Sequence, residues 1–260
     1  METLEENTLK MTDRLRAFVV AAAMALPALP LWAETKVGSN VDSRVVVALK
    51  GNAAGVQALM PEGWTSLPFG QGPTAGANLL ALFIDSGLEM DPEGKPIAAP
   101  MRRAVAFAGL AKQGEEVKLF VVKYLTTYPE IDPYGVGSEA EITRSTTQSG
   151  AANGPRERSD EWAVRAGGGE MVLSLDYTTG ARGWSAGELF PHSAREPEFS
   201  RIYRFEQLAD LVMSTAIGKP ANGAFELTSD IAALAPVLDG SHEVIAVIDV
   251  PVYVREVFLP

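Results

Sequence analysis

The 260-residue chain contains no cysteine and only two histidines. Without thiols there is no thiolate nucleophile, no Cys-ligated zinc, no iron–sulfur cluster and no disulfide framework. Two imidazoles exclude a metal centre built chiefly on histidine. Cationic side chains are also scarce, with 22 Lys+Arg against 33 Asp+Glu and a net charge of −11. A mean field of that sign repels phosphate and argues against nucleic acid or anionic membrane as partner. Lysine is unevenly spread as well, since none lies between Lys123 and Lys219.

What remains is ordinary globular material, 47% hydrophobic with 24 Gly and 17 Pro. From Met11 the chain reads Thr12-Asp13-Arg14-Leu15-Arg16 and then runs apolar from Ala17 to Ala33. A basic start, an apolar core and a small closing residue form a secretory signal peptide. Pro27 and Pro30 interrupt the run, which disfavours a membrane-spanning helix. Cleavage is expected after Ala33, with Ala28 as the alternative. The acidic residues 1–10 precede a second methionine and suit a true start at Met11. The expected organisation is therefore a leader over 1–33 and one domain over 34–260, periplasmic or secreted, with no stable membrane insertion after processing. Lacking cysteine, that domain folds without disulfides.

Within 34–260, apolar alternation rich in β-branched residues predicts strands over 44–50, 77–85, 103–111, 117–126, 139–145, 161–166, 170–177, 223–228 and 243–257. Lys112-Gln113-Gly114 and Gly167-Gly168-Gly169 read as hairpin loops. Helical spacing is confined to Ala53–Met60, with Asn52 as N-cap and Pro61 as stop, and to a stripe of Phe205, Leu208, Leu211 and Val212 between Tyr203 and Thr215. The polar stretch Ser145–Ser159 reads as a mobile loop. Strands far outnumber helices, which favours a closed barrel or sandwich over a parallel βαβ sheet.

Two motifs that suggest chemistry stand in the wrong context. Gly183-Trp184-Ser185-Ala186-Gly187 matches the nucleophile elbow, and Ser185, Asp239 and His242 follow in the order of a triad. A polar stretch separates Ser185 from the preceding strand, and no glycine-rich oxyanion loop lies upstream, so a plain turn is the better reading. Gly135-Val136-Gly137-Ser138-Glu139-Ala140 matches a dinucleotide fingerprint, but prolines precede it and a strand follows where a helix is required. His192 and His242 sit beside polar or proline neighbours and read as loop residues. No metal site and no cofactor is indicated.

Asp42-Ser43-Arg44 leads into Val45-Val46-Val47-Ala48-Leu49, followed by a helix ending Leu59-Met60-Pro61-Glu62-Gly63-Trp64. A later strand reaches Asp85-Ser86-Gly87, a turn carries Glu93, and Tyr134-Gly135-Val136-Gly137-Ser138-Glu139 precedes a C-terminal strand pair after Asp239-Gly240-Ser241-His242. In these features the chain resembles the acetoacetate decarboxylase-like family over most of 42–260. The resemblance implies a mainly β (α+β) fold, an antiparallel, cone-shaped β-barrel with a few short helices and a central ligand cavity. It also implies that Arg44 and Glu93 occupy positions of a cavity arginine and glutamate. The family's decarboxylases act through a Schiff-base lysine in a Pro-Lys-Lys stretch, and the lysine gap removes it here. Lys118 and Lys123 are the remaining inward candidates, and the family's second-strand acid falls on Asn78.

Three functions follow as expectations. The first is an exported barrel holding a small carboxylate or carbonyl compound without Schiff-base chemistry, with Arg44 as bidentate donor and Glu93 and Glu139 orienting polar groups. The second is a lyase, decarboxylase or hydratase using a carboxylate acid/base pair, Glu93 with Glu139 or Glu188. The third is a non-catalytic interaction protein of the envelope. Oligomerisation is compatible with all three.

Overall fold

Each of the nine alternating stretches folds as a strand, and most extend beyond the predicted limits. The structure, a computed structural model, describes residues 34–97 and 101–260, so the leader lies outside the described residues. In chain order the elements are β1 (Thr35–Lys50), α1 (Ala53–Ala58), β2 (Thr65–Leu67), β3 (Leu79–Met90), β4 (Arg103–Gln113), β5 (Glu116–Thr126), β6 (Gly137–Glu139), β7 (Glu141–Ser149), β8 (Glu157–Ala166), β9 (Gly169–Thr178), β10 (Gly183–Leu189), β11 (Pro191–Ser193), β12 (Ile202–Ser214), β13 (Gly223–Ser229) and β14 (Glu243–Leu259). Among the described residues, no helix is long and apolar enough to cross a membrane.

Two sheets result. The larger runs β10-β12-β14-β1-β3-β4-β5-β11, with β2 beside β4 and β6 beside β5, and the smaller runs β13-β9-β8-β7. Pairing is antiparallel except where β6 and β11 join β5. The end strands of the large sheet, β10 and β11, are separated by Phe190 alone. One residue of chain therefore ties the two ends of the sheet together, although no ladder joins β10 to β11. The mainly β, antiparallel architecture is as expected.

Strand alternation divides the large sheet into two faces. Val45, Val47 and Leu49 of β1, Leu79, Ala81 and Phe83 of β3, and Val105 and Phe107 of β4 bury one face. The small sheet covers this face with Trp162, Val164, Met171, Leu173 and Leu175. Phe83 and Trp162 meet edge to face at 5.6 Å across the interface. Burying such side chains contributes about 1.5–3 kcal/mol each. The other face carries Asn40, Asp42, Arg44, Tyr124, Tyr253 and Arg255, and it positions the candidate site.

Helix α1 begins where Asn52 accepts hydrogen bonds from the Ala54 and Gly55 amides. A Cβ on Gly55 would lie 1.7 Å from the Pro236 carbonyl oxygen, so only glycine allows this helix to pack against the 231–238 segment. The β8–β9 hairpin turns at Gly167 and Gly168, whose φ values of 57° and 82° are left-handed and suited to glycine.

Three sequence expectations are corrected. The stripe from Tyr203 to Thr215 is strand β12, not helix. Its pairing with β14 slips between Leu208 and Asp210 and again between Leu211 and Met213. Each bulge breaks the period of two, so apolar side chains at 205, 208, 211 and 212 mimic helical spacing. Ser145–Ser159 is not a loop throughout, because β7 continues to Ser149 and β8 starts at Glu157. Likewise the segment around Ser185 is not a turn but the edge strand β10.

Candidate functional site

The bulged pairing of β1 with β14 aligns Asn40, Asp42 and Arg44 opposite Arg255, Tyr253 and Val250. Arg44 is buried and grips Asp42 bidentately, Nε to Oδ1 at 2.5 Å and Nη2 to Oδ2 at 2.7 Å. Asn40 Nδ2 donates to the same carboxylate. The Arg44 guanidinium also lies 3.3 Å from the centroid of the Tyr253 ring, which stacks on Phe205. The anion facing Arg44 is thus Asp42, its neighbour but one, rather than Glu93.

Arg255 is held differently. Its Nε donates to Asn40 Oδ1 at 2.8 Å and its guanidinium lies 4.0 Å from the centroid of the Tyr203 ring. Among the described residues it forms no ion pair. Burial opposes its charge, but Tyr203, Tyr253 and Asp42 around it hold its pKa above the usual arginine value. The Tyr203 hydroxyl shares a short hydrogen bond with that of Tyr134. Burial first, then the adjoining Tyr203, push the Tyr134 phenol well above its ordinary range. Tyr124, also raised by burial, is close enough to Arg255 and Tyr203 to feel their charge. The Tyr253 hydroxyl is buried with no hydrogen-bond partner among the described residues. A half-buried guanidinium without a carboxylate and a buried hydroxyl without a partner among the described residues therefore share one face, and groups of that kind normally find partners. Tyr134 stood in the sequence only as the start of the stretch Tyr134–Glu139, and nothing there joined it to Arg255, Tyr124, Tyr203 and Tyr253, because these residues come from β5, β12, β14 and a loop far apart in the chain.

The predicted carboxylates lie elsewhere. Glu93 is exposed in the Asp91–Lys95 turn, and Glu139 is exposed at the end of β6. Glu188, exposed on β10, binds Arg204 Nε at 2.8 Å. None of the three meets another, so the expected acid/base pair of Glu93 with Glu139 or Glu188 is not assembled. Lys123 adjoins Tyr124 on β5 and points to the opposite face by alternation. Lys118 stands over the Trp64 ring at 5.1 Å, near Glu116 and Glu198. Neither amine joins the tyrosine cluster. Asn78 clamps the end of β1, with Oδ1 accepting from the Gly51 amide at 2.8 Å and Nδ2 donating to its carbonyl at 3.0 Å.

The remaining motifs dissolve in the same way. The Ser185 hydroxyl accepts from Gln207 at 3.3 Å, while Asp239 accepts from Ser241 and Asn52. No triad forms. In the glycine-rich stretch, Asp132 takes the amides of Tyr134, Val136 and Gly137 at 2.6–2.9 Å, leaving no cradle for phosphate. His192 Nδ1 lies 3.1 Å from the Pro197 carbonyl oxygen, and burial lowers its pKa.

A second buried cluster lies between the sheets. Arg144 binds Asp160 through Nε at 2.9 Å and Nη2 at 2.5 Å, and reaches Ser43 at 2.6 Å and Asp85 at 3.3 Å through Nη1. Arg158 Nη2 bridges Asp160 at 3.1 Å and Asp249 at 3.3 Å, and Tyr177 donates to Asp249 at 2.6 Å. Burial raises the Asp249 pKa, against the opposing pull of Arg158 and the Tyr177 hydrogen bond. Among the described residues, no group of three His, Asp or Glu side chains is arranged to hold a metal ion.

No protein-family model and no curated protein matches the sequence. Solved structures do share the fold. The enduracididine biosynthesis enzyme MppR complexed with pyruvate superposes with a TM-score of 0.50 at 10% identity, covering 89% of this chain and 92% of that one. The MppR complex with the condensation product of pyruvate and imidazole 4-carboxaldehyde also gives 0.50 at 10%, covering 90% and 93%. An acetoacetate decarboxylase-like enzyme from Sphingomonas wittichii RW1 gives 0.49 at 13%, covering 90% and 95%. At 10% identity, the likeness to MppR is one of fold.

Proposed function

We propose that the protein is an exported binder of a small carboxylate or carbonyl compound, held on the tyrosine-rich face of the large sheet without Schiff-base chemistry. The observation that carries this reading is Arg255, a half-buried guanidinium with one neutral side-chain hydrogen-bond partner and no ion pair among the described residues. An unpaired charge in such surroundings is unfavourable until an anion meets it. A carboxylate supplies that anion, and the Tyr253 and Tyr134 hydroxyls supply donors for its second oxygen or an adjacent carbonyl. Arg44 then shapes the wall beside Tyr253 while its own charge is spent on Asp42. MppR, which shares this fold, binds pyruvate, which is the same chemical class.

The test is a thermal-shift screen of small carboxylates and 2-oxo acids. Saturation at a hundredfold excess over Kd stabilises a one-site binder by about 2.7 kcal/mol. That shift should vanish in Arg255→Met and persist, on a lower baseline, in Arg44→Ala. Retention of the full shift in Arg255→Met would remove Arg255 from the site. Borohydride reduction with pyruvate or acetoacetate should trap no adduct, and an adduct on Lys118 or Lys123 would restore Schiff-base chemistry. Export is tested separately, by N-terminal sequencing of the protein from an exporting host, which should begin at Glu34 or Leu29.

A further inference from the structure

On the reading that Arg255 anchors one carboxylate, we infer that the ligand is a small dicarboxylate whose second carboxylate is held by Arg201, with the Tyr134–Tyr203 phenol pair between the two. Arg201 stands two residues before Tyr203, just ahead of the start of β12 at Ile202. Its backbone amide is fixed by the Pro191 carbonyl at 3.2 Å. Its side chain forms no ion pair and no hydrogen bond among the described residues, and its Nε is buried without a partner. Its charge is near enough to the Tyr134 phenol to pull that pKa down, against the stronger effect of burial.

The register of β12 against β14 sets where the two guanidiniums lie. Phe205 is directly opposite Arg255, and the Arg255 guanidinium leans back along the ladder onto the Tyr203 ring. Alternation puts 201, 203 and 205 on one face. Tyr203 is thus bracketed, with Arg255 on its Phe205 side and Arg201 on the other. The backbone levels of 201 and 205 are about 13 Å apart along an extended chain. Two long side chains reaching inward from such levels suit two anionic groups joined by a short chain better than one compact anion. Both arginines are half-buried, so each is shielded on one side and reachable on another.

The neighbouring charges are already engaged. Arg44 is bound by Asp42, and Arg102 by Glu89 at 2.8 Å. Asp132, which acts on Tyr124, spends its oxygens on three backbone amides. Of the carboxylates close to Arg201 in the chain, Glu198 pairs with Lys118 at 3.4 Å, and Glu196 is exposed. Two guanidiniums therefore face one phenol pair without a counter-ion, on a chain of net charge −11. Two carboxylates balance them one for one. Between the anchors, the Tyr134–Tyr203 bond uses one phenol proton and leaves the other to donate. The acceptor that fits there is a carbonyl or hydroxyl oxygen on the carbon chain of the ligand.

Isothermal titration of 2-oxoglutarate against 2-oxopentanoate tests this, because the two match in carbon number and differ in the second carboxylate. 2-Oxoglutarate should bind at least about tenfold tighter, the gain of one further charge-assisted contact. Arg201→Met should abolish that advantage while 2-oxopentanoate binds as before, which also shows the variant to be folded. Arg201→Lys keeps the charge and should retain part of the advantage. If 2-oxopentanoate binds and 2-oxoglutarate binds no better, or keeps its advantage in Arg201→Met, the second anchor is wrong and the carboxylate reading of Arg255 stands. If neither compound binds the parent protein, both fall.

Discussion

Two ionic clusters occupy opposite faces of the same sheet, and they differ in how completely their members are paired. Between the sheets, the carboxylates of Asp85, Asp160 and Asp249 are each bridged by at least one of Arg103, Arg144 and Arg158. On the other face, Arg44 binds the carboxylate of Asp42, while Arg255 donates to the neutral Asn40 and forms no ion pair among the described residues. In the first cluster Asp249 also accepts from the Tyr177 hydroxyl, and burial raises its pKa. Arg255 has no such recourse, since arginine does not give up its proton at any ordinary pH. The bridged cluster serves as a latch between layers, while the other leaves one guanidinium without a carboxylate.

The largest expected effect breaks the latch. Asp160→Ala leaves Arg144 and Arg158 buried with too few partners and should lower stability by about 3–5 kcal/mol in urea denaturation. The arginines of the other face sharpen the contrast. Arg44→Ala strands the buried Asp42 carboxylate and should lower stability by about 2–4 kcal/mol. Arg255→Met removes a charge with no counter-ion, so the ligand-free protein should be as stable as the parent or more so. A loss of similar size in both variants would mean that Arg255 has an internal anion after all, and the comparison would fail.

The pH dependence isolates Asp249. Its folded pKa is raised by burial, so between the ordinary carboxyl value and the raised one the folded protein keeps a proton that the unfolded chain has lost. Stability from this group therefore falls as pH rises through that window, by at most about 1.4 kcal/mol per pH unit for one proton. Asp249→Asn should flatten that component, as read from denaturation midpoints from the ordinary carboxyl pKa upward. The smallest effect is expected for Tyr134→Phe, which deletes the phenol–phenol bond to Tyr203 and should cost about 0.5–1.5 kcal/mol. Any larger loss of ligand-induced stabilisation in that variant would place the Tyr134 hydroxyl on the ligand.

The comparison also explains which residues could be read from the sequence. Arg44 stood out because it opens the apolar run Val45–Leu49, and it does lie in the polar cluster. Glu93, Glu139 and Glu188 stood out only as carboxylates near turns or strand ends, and the structure leaves them exposed and apart. Arg255 and Tyr203 carried no functional signal, and Tyr134 stood only in the stretch Tyr134–Glu139 of the family resemblance. Their meeting depends on β12 lying beside β14 and on the loop after β5 reaching across to β12, which no spacing in the chain encodes.

Strand identity was local. Val, Ile, Thr and aromatic residues at a period of two specify a pleated, half-buried surface wherever they occur, and the glycines at 167–168 specify the turn between β8 and β9. Asn52 likewise started its helix with a side chain two residues from the amide it caps. The lysine gap and the missing cysteines removed whole chemistries before any fold was known. Bulges defeated the same local logic in β12, because one extra residue reverses which side chains face the core. Sheet order and the face on which Arg44 and Arg255 converge were settled only in three dimensions. They depend on contacts between residues far apart in the chain, 215 positions for Arg255 and Asn40, and on burial, which gives a charge its need for a partner only after the chain has closed around it.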